Sequence, residues 1–141
     1  MMPSKYLPRK ISDSLKGLVS EQITLKKTSN IVFICGKKPE YGQKGCRDWL
    51  LTYAKKNLPN INFFIPDAHF SANNKNDLLS IENELAEYSD CVVIILESAG
   101  TFAELGAFSN NEKLVKKILV VNDSKFKDEK SFINEGPIQK L

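Results

Sequence analysis

"CVVIILESAGTFAELGAF", residues 91–108, holds the transition from which the rest of the chain can be read. Cys91 to Leu96 is apolar at every position and mostly β-branched. A strand with one wet face would alternate apolar and polar residues. One that is apolar on both faces belongs in a parallel sheet covered by helices on both sides. The run stops at Glu97, turns through Ser98, Ala99, Gly100 and Thr101, and resumes as "TFAELGAFSN", a predicted helix. A second carboxylate, Glu104, stands in that helix among apolar neighbours.

The same alternation extends outward in both directions. "NIVFICG" (30–36) predicts a first strand ending at Gly36, and "KKPEYGQKG" (37–45) a loop. A helix is predicted from Cys46 to Asn57, stopped by Pro59, with Trp49, Leu50 and Tyr53 on its packed face. "INFFIP" (61–66) is a second strand and "DAHFSANNK" (67–75) a polar loop. Asn76 is the expected N-cap of "DLLSIENELAEYS" (77–89). In that helix Leu78, Leu79, Ile81 and Leu85 form the apolar stripe, and Glu82, Glu84 and Glu87 the solvated face. "KKILVVND" (116–123) is a fourth strand. Strands alternating with helices give an α/β fold, a three-layer parallel sheet of flavodoxin- or Rossmann-like form, order 2-1-3-4. A fifth strand is not evident in the polar residues after Asp123. The expected division is a basic N-terminal arm, residues 1–28, and an α/β domain, residues 29–141. The domain reads either as complete with four strands or as one piece of a longer protein that stops before a C-terminal domain.

In such sheets ligands bind beyond the carboxyl ends of the strands. Gly36, Asp67, Glu97 and Asn122 all fall there. The turn at Ser98, Gly100 and Thr101 is small and hydroxyl-bearing, suited to close approach of a phosphate or sugar at a helix N-terminus. Glu104, on the first turns of that helix, is placed to attack an electron-poor carbon. The chemistry that suits this is cleavage at a sugar anomeric carbon, where a carboxylate stabilises an oxocarbenium-like transition state and a second acid protonates the leaving group. Glu97 and Asp67 compete for the second role. Arg47, beside Lys44 at the start of the first helix, is a candidate phosphate ligand. A plainer reading of each residue stands beside this one. Glu104 complements a helix dipole, Glu97 is a rim charge, Arg47 is solvated, and Trp49 is packing.

Composition narrows the classes. The chain has 141 residues, 42% hydrophobic and 26% charged, with a net charge of +3. That is one ordinary globular domain with no strong polyelectrolyte character. Lys5, Arg9, Lys10, Lys16, Lys26 and Lys27 crowd the arm, which can touch a phosphate backbone or simply be solvated. No apolar run is long enough to span a bilayer, and no signal peptide is legible, so a cytoplasmic location is expected. Cys35, Cys46 and Cys91 lack CxxC spacing, and His69 is the single histidine; neither a metal nor a cofactor is expected.

The turn "SAGTFAELGAF" resembles that of nucleoside 2-deoxyribosyltransferase-like enzymes. The resemblance implies that Glu104 is the nucleophile, with Ser98 and Gly100 in the phosphate- or sugar-holding turn. "IVFICG" matches that superfamily's first strand, implying that Cys35, Gly36 and Lys37 line the site. "YSDCVVIIL" places Asp90 on the family's aspartate, although its position before the third strand puts it at the far end of the sheet. Tyr41 is the nearest counterpart of the tyrosine that positions the nucleophile. More closely, "FICG", "NDLLSIENELAEYSDCVVIILESAGTFAELGAFS", "KILVVND" and "KSFINEGPI" resemble the N-terminal domain of retron-associated effectors, from about Asn30 to Ile138. Ala99 stands where those effectors often have proline. The resemblance implies an N-glycosidase or deoxyribosyltransferase-like toxin of anti-phage defence, acting on a nucleotide such as NAD or a deoxynucleotide. It further implies restraint by a retron reverse transcriptase and its RNA–DNA hybrid, and a homo-oligomer. A housekeeping nucleotide-salvage enzyme and a non-catalytic nucleotide-sensing module are the competing functions.

Overall fold

The computed structural model describes residues 30–66 and 77–141. The basic arm and the loop carrying Asp67, His69 and Phe70 lie outside the described residues. Four parallel strands form one sheet: β1 (Asn30–Cys35), β2 (Ile61–Phe64), β3 (Cys91–Ile95) and β4 (Ile118–Val121), in the order β2-β1-β3-β4. Between them run α1 (Cys46–Asn57), α2 (Leu78–Tyr88), α3 (Ala99–Ser109) and a single turn, α4 (Glu112–Val115). After β4 come short turns only, including α5 (Phe132–Glu135), and no fifth strand is present among the described residues.

The layering follows from handedness. The step from β1 to β2 moves one way across the sheet, and the later steps move the other way. Right-handed crossovers therefore put α1 on one face and α2 and α3 on the other. Alternation along the strands fills both interfaces. Phe33, Cys35, Val92, Ile94 and Leu96 pack with Ile81, Leu85 and Ala86 of α2 and Leu105 and Phe108 of α3. Val32, Ile34, Val93 and Ile95 meet Leu50 and Leu51 of α1 on the other side. Phe33 sits between Phe64 and Phe108, with ring centroids 6.3 and 6.2 Å away. Each such fully buried apolar side chain contributes about 1.5–3 kcal/mol.

Helix orientation departs from the expected stripes in two places. On α1 the inward set is Arg47, Leu50, Leu51 and Ala54, spaced i, i+3, i+4, i+7. Trp49 and Tyr53 point outward, 63% and 61% exposed. An arginine in the inward set hid the true stripe, and the aromatic residues supplied a false one. On α2, Leu78 and Leu79 are exposed at the N-terminal turn, while Glu82 is buried beside Ile81, Leu85 and Ala86. Its N-cap is Asp77, one residue later than expected, whose carboxylate accepts from Ser80 N at 2.8 Å and Ser80 Oγ at 2.7 Å. Those two bonds, the side-chain one first, hold the Asp77 carboxyl below its ordinary pKa.

Candidate active site

β3 delivers the central residues. It ends at Ile95, and the chain leaves the sheet through Leu96 and Glu97 into the cap of α3. Ser98 is the N-cap, its hydroxyl accepting from Thr101 N at 3.5 Å. The Thr101 side chain does most of the tying. Its Oγ1 accepts from Glu97 N at 3.2 Å and Ser98 N at 3.1 Å, and donates to Ser98 O at 2.8 Å. Thr101 is buried and spends its hydroxyl inside the turn, so it shapes the turn rather than presenting itself at its surface. Ala99 and Gly100 are the exposed residues of the first turn, next to the positive end of the α3 dipole.

Glu104 lies between one and two turns into α3. The core-facing residues of this helix are Thr101, Leu105 and Phe108. At 100° per residue, Glu104 stands on the flank of that face, neither in the core nor on the outer side. The residue is half-buried and its Oε2 atom is fully so.

Glu97 turns toward α1. Its Oε2 accepts from Cys46 N at 3.2 Å, the first residue of that helix. Gly45 makes this approach possible: a Cβ there would meet Glu97 Oε2 at 3.1 Å. The carboxylate therefore sits at the positive end of the α1 dipole. Its other oxygen, Oε1, is buried and takes no hydrogen bond among the described residues. Burial first, and the Glu97 charge second, raise the Cys46 thiol above its ordinary pKa.

Arg47 is buried, 4% exposed, rather than solvated, and its Nη1 donates to Gly36 O at 2.8 Å. It clamps the exit of β1 to the first turn of α1. Gly36 packs against it without a side chain. Lys37 follows at the rim, half-exposed and paired with Glu40 at 3.0 Å. Cys35, one residue earlier, is buried in the core beneath the rim, 2% exposed. Lys44 lies over the Trp49 ring, 5.5 Å from its centroid.

The structure thus places Gly36, Lys37, Arg47, Glu97, Ser98 and Gly100 at the carboxyl end of the sheet, with Glu104 between one and two turns further along α3. Asp90 is not with them. It precedes β3, at the amino end, where its Oδ2 accepts from Ile31 N at 2.7 Å and its own amide donates to Ile31 O at 2.8 Å. Asp67 lies outside the described residues. A groove of about 480 Å³ between the C-terminal half of α3 and the final turns is lined by Gly106, Ser109, Asn110, Phe132 and Pro137, and touches neither Glu97 nor Glu104. Sequence reasoning missed Cys46 and Gly45 as neighbours of Glu97. They lie some fifty positions away, and only the sheet order brings them together. Among the described residues no helix is long and apolar enough to cross a membrane, and no cluster of three potential metal ligands is present.

Residues 43–141 match the family described as "STM3845 retron effector protein". Two curated proteins of Escherichia coli are similar. "Retron Ec73 putative ribosyltransferase/DNA-binding protein" is 38% identical over 117 residues, covering 78% of this chain and 37% of that protein. "Retron Ec86 putative ribosyltransferase/DNA-binding protein" is 40% identical over 114 residues, covering 78% of this chain and 36% of that protein. The chain spans a little over a third of the length of these relatives.

Proposed function

The chain belongs to the STM3845 retron effector family, and from that premise we propose that it cleaves the N-glycosidic bond of a nucleotide with Glu104 as nucleophile. The reading is supported by one observation above the others. Glu104 is half-buried on the flank of α3, and a second carboxylate, Glu97, stands just before the N-cap of the same helix. The names of the two Escherichia coli relatives point to the same class of chemistry.

In the proposed reaction a Glu104 carboxylate oxygen attacks C1′ of the bound ribose or deoxyribose. The C1′–N bond breaks, and its electron pair leaves with the base. The base nitrogen takes a proton from a carboxylic acid, Glu97 or Asp67. Glu97 Oε2 already accepts from Cys46 N, so the proton would sit on Oε1. The glycosyl ester on Glu104 is then opened by water, giving free sugar phosphate, or by a second base, giving an exchanged nucleotide. Ser98, Gly100 and Gly36 would hold the phosphate or sugar at the mouth of the turn. In the cell the protein would act in the cytoplasm as a homo-oligomeric toxin, restrained by a retron reverse transcriptase and its RNA–DNA hybrid.

The test is mass spectrometry of a panel of nucleotides, including NAD and the deoxynucleotides, incubated with the protein and with Glu104→Gln. Free base should accumulate with the parent chain alone. Expression of the parent without its retron partners should arrest growth, and Glu104→Gln should relieve the arrest. Purified protein that binds members of the panel but releases no base from any of them would refute catalysis and favour a sensing module.

A further inference from the structure

The outer face of α1 carries a feature that neither the packing nor the proposed chemistry uses. Trp49 and Tyr53 are 63% and 61% exposed. They stand one turn apart on the same face, about 6 Å along the axis. Lys56 continues that face one turn further on, and Lys55 lies next to it, both exposed. Lys44 lies over the Trp49 ring from the preceding loop.

That loop is itself a small hairpin. Glu40 and Gln43 form an antiparallel bridge, with Gln43 N donating to Glu40 O at 3.0 Å. The two central residues, Tyr41 and Gly42, have φ of 50° and 78°. Positive φ at both is the signature of a type I′ turn. Glycine suits it, but a bulky aromatic residue rarely adopts that region. Tyr41 does so with its side chain wholly exposed at the tip. Lys37 and Lys38 lie before the tip and Lys44 after it. The acidic residues of this stretch, Glu40 and Asp48, are each engaged: Glu40 with Lys37, and Asp48 with the Gly45 amide at 3.1 Å.

We propose that the hairpin tip and the outer face of α1 form a binding surface for single-stranded nucleic acid, running from the rim at Cys46 down the helix. Exposed aromatic rings interleaved with lysines fit this partner. Unpaired bases stack on the rings, and the phosphates that follow each base meet the lysines. Protein interfaces also use aromatic residues, but their centres are depleted in lysine. A duplex has no free base faces to offer the rings. The surface stands independently of any chemistry at Glu104.

Trp49 is the only tryptophan of the chain, so its fluorescence reports on this surface directly. The full chain is titrated with an oligothymidine strand and with a duplex of equal length. The single strand should quench Trp49, and the duplex should do so weakly or not at all. Tyr53→Ala should weaken binding roughly 5- to 150-fold, the range expected for removing one stacked base. Lys44→Ala with Lys56→Ala should flatten the dependence of log K on log salt by about 0.7 for each phosphate left without its lysine. Phe132→Ala, an exposed aromatic on another face, should change neither. Circular dichroism checks that each variant is folded. Three results would overturn the proposal. One is no quenching by the single strand. A second is labelled-strand binding undiminished in the combined Tyr41→Ala, Trp49→Ala and Tyr53→Ala variant, which places the binding elsewhere. The third is an emission change that tracks protein concentration alone, which makes the surface a contact between copies of this chain.

Discussion

β3 carries a carboxylate just beyond each end, and each accepts a backbone amide from a neighbouring element. Asp90 takes Ile31 N at the amino end, and Glu97 takes Cys46 N at the carboxyl end. The bonds look alike, but their settings differ. Asp90 joins two adjacent strands of the same sheet, is exposed, and is matched by a return bond from its own amide to Ile31 O. Glu97 reaches across to a helix terminus, keeps one oxygen buried, and shares its turn with the helix that carries Glu104. A carboxylate that closes a reciprocal pair of bonds is a latch. One that keeps an oxygen unbonded at the carboxyl end of a parallel sheet is the one the proposed reaction can call on.

Mutation puts this contrast at risk. The largest effect is expected at the helix beside the carboxyl end: Glu104→Gln should lower base release at least about 10³-fold with the fold retained, read by chromatography of the reaction mixture. Next comes the contrast itself. Glu97→Gln should cost roughly 10²–10⁴-fold in rate if it supplies the proton, and should flatten the alkaline limb of the pH–rate profile. Asp90→Asn should leave the rate unchanged; an equal loss of activity there would erase the distinction between the two ends. Third, Arg47→Met should leave Gly36 O without its donor and destabilise the protein by about 2–4 kcal/mol in urea. Asp90→Asn, losing the charge on an exposed acceptor, should cost only about 1 kcal/mol in the same assay.

The smallest effect lies at the amino end, where Glu87 accepts from Lys113 Nζ at 2.9 Å and Asn111 Nδ2 at 3.1 Å. The Lys113 hydrogen bond, outweighing partial burial, lowers the Glu87 pKa below its ordinary 4.5. A lowered carboxylate pKa contributes stability that is fully present above about pH 4.5 and lost as pH falls through the folded value. Glu87→Gln should therefore lower the thermal midpoint slightly at pH 7, where the contribution is fully present, and the difference from the parent should vanish as pH falls through the folded value, solvent screening keeping the effect slight.

The sheet was legible because its strands are apolar throughout, and only a parallel sheet covered on both faces calls for that. The order β2-β1-β3-β4 is that of the flavodoxin-like class to which the alternation of strands and helices points. The helix faces were less legible, because periodicity cannot tell an inward arginine from an outward one. Arg47 belongs to the inward set because a carbonyl waits for it at Gly36, a fact of tertiary structure with no local trace. Trp49 and Tyr53 then read as packing, as aromatic residues usually are. Glu82 misled in the same way on α2. At the candidate site, Glu97 and Glu104 were readable because they stand on either side of a small-residue turn at the end of an apolar strand. The grip of Cys46 on Glu97 was not, since it joins elements that the chain keeps far apart.

Gly36 has a consequence for any survey of substitutions in this chain. A methyl group there would stand 2.8 Å from the Arg47 Cβ, an atom bonded directly to the backbone of α1 that cannot move aside without it. Even alanine acts as a wedge that levers the first turn of α1 away from the sheet and takes the Cys46 amide with it. Scored by function alone, position 36 would look as intolerant as a reacting group, yet want of room beside Arg47 would be reason enough.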